Sequence, residues 1–200
     1  VMLIALALIA MILVLQFNSF VKPLIIMITV VLSTIGVFGG LALFKMDFVI
    51  LMTGVGIISL AGVVVNNAIV LVDYIDFLKA NAKKRLGLDE EDELSLEDTR
   101  ECIQQAGRTR LRPVLLTAIT TVLGLVPMAV GLNFDFATLL SEFNPHVYFG
   151  GDNAIFWGPM SWTVIFGLSF TTVLTLVLIP CMVYLSHRLK LAFRARFKKG

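Results

Sequence analysis

The amino-acid sequence predicts an all-α membrane protein, a bundle of five transmembrane helices. Three observations carry that reading. Of the 200 residues, 58% are hydrophobic, more than a soluble domain of this length has core to hide. The apolar stretches run to about 20 residues, contain Gly and Pro, and lack the alternation of barrel strands. One of them, Gly54 to Leu78, has the length to span a bilayer, since 25 residues at about 1.5 Å each reach about 37 Å.

The elements follow in order. The first span covers about residues 1–16. The chain opens VMLIALALIA with no basic leader and no initiator Met, which predicts upstream sequence, not a signal peptide. QFNSFVKP turns the chain, and a second span runs over about 23–44, with Pro23 placed where its missing N–H costs little. Gly36 and Gly40 form a GxxxG pair that permits close helix approach. After a tight turn at Lys45 to Asp47, the third span covers about 48–77. Residues 79–112 form a hydrophilic segment with a basic cluster at Lys83 to Arg85 and an acidic run at Asp89 to Glu93. Within it, SLEDTRECIQQAG reads as a short amphipathic helix, capped by Ser95 with Asp98 three residues on and stopped at Gly107. Its Leu96, Ile103 and Ala106 are expected on the membrane surface. The fourth span covers about 113–132, an aromatic loop 133–159, the fifth span about 160–186, and a basic tail 188–200. Cys102, in the hydrophilic segment, and Cys181, in a span, are too few for a disulfide framework and read as free thiols.

Charge placement sets the expected orientation. Residues 79–112 carry eight Lys or Arg and the tail from Arg188 carries six, whereas the loops after spans two and four hold only Lys45. The positive-inside tendency then puts residues 79–112 and the C-terminus in the cytoplasm and Val1 outside. The aromatic residues from Phe134 to Trp162 suit the outer interface.

The third span is the one around which the others are expected to pack. Seven residues separate Ser59 from Asn66 and Asn66 from Asp73, so the three share one helix face, with Gly62 beside them. Asn67, rotated by about 100°, flanks that face. Polar groups in hydrocarbon are costly and ordinarily face a bundle interior or a pathway. In the fourth span Arg110 and Thr117 also lie seven apart, with Thr121 and Gly124 continuing the face. Taken singly, snorkelling accounts for Arg110 and Arg112, and back-bonding to the i−4 carbonyl for Thr117 and Thr121. Taken with the Asn66/Asp73 stripe, they predict a buried polar network.

GVVVNNAIVLVDYID, followed about 35 residues later by RLRPVLLTAITTVLGLVPMA, resembles the C-terminal transmembrane half of resistance–nodulation–division (RND) efflux permeases, closest to the hydrophobic/amphiphilic-efflux branch. The resemblance extends over all five spans. It implies half of a twelve-helix fold, working as a homotrimer in the bacterial inner membrane and driven by the proton gradient without a cofactor. It also implies a periplasmic adaptor and an outer-membrane channel as partners, with no role for nucleic acid. The acids that take the proton belong to a helix of the other half. By the same resemblance, Asn67, Arg110 and Thr117 match family positions, and Asn66 stands where the well-known drug pumps have a lysine. Asn66, Asn67, Asp73, Arg110 and Thr117 together form the expected proton-relay network. An Asn donates hydrogen bonds to a carboxylate but brings no charge, so the acids are expected to hold their protons more strongly than beside a lysine.

Other classes fit less well. An intramembrane enzyme finds no HExxH, no Walker A loop and no Ser/His pairing within the spans, and His146 and His187 fall on opposite sides of the expected topology. A structural or assembly protein has no need of the Asn/Asp stripe. A heavy-metal or lipid-exporting RND relative remains the alternative transporter. The eight Met are scattered, as packing residues are.

Overall fold

The computed structural model describes residues 2–17, 19–89, 92–135 and 146–197. Among the described residues there are five helices and one small hairpin: α1 Met2–Phe17, α2 Val21–Leu43, α3 Ile50–Leu86, α4 Leu96–Ala129, β1 Leu132–Asp135, β2 His146–Phe149 and α5 Asp152–Phe197. Among the described residues, α2 to α5 are each long and apolar enough to cross a membrane. α1, with 16 residues, falls short of the roughly 20 that a crossing takes.

Local chemistry sets the helix ends. α2 stops at Lys45, a non-glycine residue at φ 52°. The Met46 N–H reaches the Leu41 carbonyl at 2.9 Å and the Lys45 N–H reaches that of Ala42 at 3.3 Å, the paired bonds of a Schellman cap. Gly87, at φ 66°, ends α3 in the same way, and Lys83, Lys84 and Arg85 in the last turn oppose the negative end of the helix dipole. At the start of α4, Ser95 Oγ accepts from the Asp98 N–H at 3.1 Å and donates to the Asp98 carboxylate at 2.7 Å.

α4 departs from expectation. It runs unbroken from Leu96 through Gly107 and Pro113 to Ala129, so Gly107 is no stop. Thr99, Ile103, Ala106, Val114 and Ala118 are buried at helical spacing. This stripe carries the helix over a glycine whose cost is about 1 kcal/mol. It also corrects the surface assignment: Ile103 and Ala106 face the protein interior and Leu96 is half-buried. α5 likewise continues through much of the expected tail, to Phe197. In the expected aromatic loop, β1 and β2 pair antiparallel with Leu132 opposite Phe149 and Asp135 opposite His146. The side chain of Asn133 donates to the carbonyls of Gly131 and Gly150 at the hairpin's open end. The rest of that loop, 136–145, lies outside the described residues.

The chain divides into two compact units. One comprises Val1–Val31, Val64–Leu115 and Thr172–Gly200; its core includes Ile26, Leu71, Ile75, Leu94 and Ile179, all fully buried. The other comprises Leu32–Val63 and Leu116–Thr171. There the GxxxG pair works as a packing surface. A Cβ on Gly36 would stand 2.5 Å from that of Phe170, and one on Gly40 would collide with Phe166. Phe166 stacks in turn on Phe44 and Trp162, at 5.0 and 5.3 Å between centroids.

Candidate functional site

α3 is two-faced, and the polar face is the outer one. Val64, Ala68, Leu71 and Ile75 recur every three or four residues and are buried in the first unit. Ser59, Gly62, Asn66 and Asp73 all lie on the exposed side. The other spans, expected to pack around α3, pack against its apolar face. The apolar face of α3 satisfies the packing of this chain, and the amides and carboxylate are turned away from it. Asn67, one residue round the helix from Asn66, is buried, at 9% exposure.

Arg110 is half-buried on α4. Its guanidinium carbon lies 4.3 Å from the centre of the Tyr74 ring, a cation–π contact worth about 0.5–2 kcal/mol. Its Nε is buried without a hydrogen-bond partner among the described residues. Tyr74 follows Asp73 directly, so the contact holds the charge of Arg110 against the same segment of α3. Thr117, in the other unit, is exposed on α4. Its carbonyl accepts from Thr121 Oγ1 at 2.8 Å and from Thr120 Oγ1 at 3.1 Å, the back-bonding anticipated for this threonine run. Of the five expected residues, the structure brings Arg110 to the Asp73–Tyr74 turn, leaves Asn66 and Asp73 open, and buries Asn67.

Several polar residues were not singled out from sequence. Lys22 and Asp76 form an ion pair at 2.7 Å. Glu93 meets Lys190 at 2.6 Å and lies 3.6 Å from Nδ1 of the buried His187, whose Nε2–H donates to the Leu94 carbonyl at 3.0 Å. The one sequence signal was an acid at 76 and a base at 22, each at the margin of an apolar span. Spacing along one helix does not reveal pairs between helices.

A helical chain with several membrane-length spans and polar side chains set into one of them defines a multi-pass membrane protein. The model of the AcrB/AcrD/AcrF family matches residues 1–133, and the chain belongs to that family of RND permeases. It is 35% identical over 179 residues to the swarming motility protein SwrC of Bacillus subtilis (strain 168), a match covering 90% of this chain and 14% of the relative. It is 30% identical over 181 residues to the multidrug resistance protein MdtC of Erwinia tasmaniensis, again covering 90% and 14%. The crystal structure of a heavy metal efflux pump superposes with a TM-score of 0.64 at 30% identity, covering 90% of this chain and 14% of that one. The chain thus spans about one-seventh of the length of these relatives.

Proposed function

We propose that the chain is the C-terminal membrane portion of a proton-driven RND permease of the inner membrane that exports drugs or other amphiphiles by substrate/proton antiport. The observation that carries this reading is the open polar face of α3 beside Arg110. Asn66 and Asp73 are turned away from the apolar packing of this chain, and Arg110 holds a buried Nε with no partner among the described residues. Polar groups left this way in a membrane cost about 1–3 kcal/mol each. A carboxylate-bearing helix from the rest of the permease would accept hydrogen bonds from Asn66 and meet the positive charge of the half-buried Arg110. Protonation of its acids would weaken the attraction to Arg110 and release hydrogen bonds from Asn66, which gives proton binding a way to shift helix packing. Asn67, one residue round α3 from Asn66, flanks this route. Trimeric assembly, a periplasmic adaptor and an outer-membrane channel belong to the same proposal. A second reading, export of heavy metals, is favoured by the likeness to the heavy metal efflux pump.

The test uses cells carrying the intact permease. Efflux of a lipophilic cationic dye should stop when a protonophore collapses the gradient, and should persist when ATP alone is depleted with the gradient maintained. Efflux that survives the protonophore contradicts the proposal. Protection against metal salts without any dye export moves the assignment to the second reading.

A further inference from the structure

The guanidinium of Arg110 is held by an aromatic ring. Its central carbon stands 4.3 Å from the centre of the Tyr74 ring, over its face, and both residues lie in the first unit. Phe77, three residues on and so on the same side of α3, stacks on Tyr74 at 6.0 Å between centroids and 20° between planes. Tyr74 and Arg110 are both half-buried, which strengthens a cation–π contact over an exposed one. Such a contact draws on the charge of the guanidinium and consumes none of its N–H donors, which point outward in its plane. The buried Nε of Arg110 is without an acceptor among the described residues. Left unheld, an arginine three residues before Pro113, where the apolar part of α4 begins, extends along its own helix towards water or headgroups. The ring opposes that by about two- to thirtyfold in the population of the held conformation.

We propose that Tyr74, braced by Phe77, is a positioning residue for proton coupling: it holds Arg110 against α3 with the Nε edge of the guanidinium open to a carboxylate. This rests on the reading of function above, in which a carboxylate-bearing helix from the rest of the permease meets Arg110. The role needs the ring and not the hydroxyl, because the contact is with the ring face. It also needs a planar cation. A lysine ammonium points its three donors in different directions, so a ring beneath it turns one of them away from any carboxylate. A guanidinium meets the ring with its face and the carboxylate with its edge.

Two measurements on the intact permease test this. The first is a double-mutant cycle by thermal unfolding in detergent. Tyr74→Leu should lower the melting temperature, and the loss should shrink by about half or more when Arg110→Gln is already present. Equal losses in both backgrounds overturn the proposal and make Tyr74 a packing residue. The second is gradient-driven dye export at matched expression and membrane insertion. Tyr74→Leu should slow export by about two- to thirtyfold, while Tyr74→Phe should run at the parent rate because the ring is kept. Export by Tyr74→Leu at the parent rate overturns the proposal, as does an equal loss in Tyr74→Phe. If Tyr74→Leu does not insert, Tyr74→Met takes its place in both measurements. A parent protein that exports nothing under a gradient contradicts the reading of function instead. The unfolding cycle is blind to export, and it then decides alone whether Tyr74 holds Arg110.

Discussion

Glycines on α2 separate two roles that look alike in sequence. Gly36 faces Phe170, so an added Cβ stands 2.5 Å from the Phe170 Cβ, while Gly39 meets open space. Gly36→Ala should therefore destabilise the chain by about 1–3 kcal/mol through overpacking. Gly39→Ala should be neutral or stabilising by up to about 1 kcal/mol, because Ala favours the helix and meets no obstacle. Thermal unfolding of both variants in the same detergent checks the contrast. At this scale the sequence was informative wherever one helix carried the whole pattern. The seven-residue spacing picked out Ser59, Asn66 and Asp73 as one face, and GxxxG marked a packing surface. It was silent wherever two helices had to meet. The Lys22–Asp76 pair, the Arg110–Tyr74 contact and the Glu93–His187–Lys190 cluster each join residues that only the fold brings together.

Helix boundaries were less legible than helix existence. Gly107 and Pro113 are ordinary stop and start signals, yet α4 passes through both because a buried stripe continues from Thr99 to Ala118. The hairpin went unread since its strands are four residues each, too short for alternation to register. Continuity of α4 has a direct consequence. Gly107 carries no positive φ and meets open space, so Gly107→Ala should stabilise α4 by up to about 1 kcal/mol. Were Gly107 a left-handed helix end, the same change would destabilise it. Hydrogen exchange at the amides around Gly107, with unfolding of the variant, distinguishes the two.

For the whole molecule, the charge bias predicts which side each loop occupies. In a variant lacking Cys102 and Cys181, a cysteine at Asp152 should react with an impermeant thiol reagent added outside intact cells, and one at Glu97 only after the inner membrane is opened. Labelling of the Glu97 site from outside would invert the proposed topology. The central claim concerns a face that this chain leaves open. Apolar packing consumes one side of α3 and leaves Asn66 and Asp73 exposed on the other, next to the segment that Arg110 holds through Tyr74. If that face meets the proton-accepting acids of the permease, Asn66 provides hydrogen bonds that no aliphatic side chain replaces. The most direct measurement is gradient-driven dye export by the intact permease carrying Asn66→Leu or Asn66→Lys, at matched expression and membrane insertion. The account predicts that Asn66→Leu loses at least about tenfold in export rate, as loss of a hydrogen bond to a charged group implies. Asn66→Lys should retain export, because it restores the cation of the drug-pump pattern. Export by Asn66→Leu at the parent rate would contradict the account and make Asn66 a lipid-facing or packing residue.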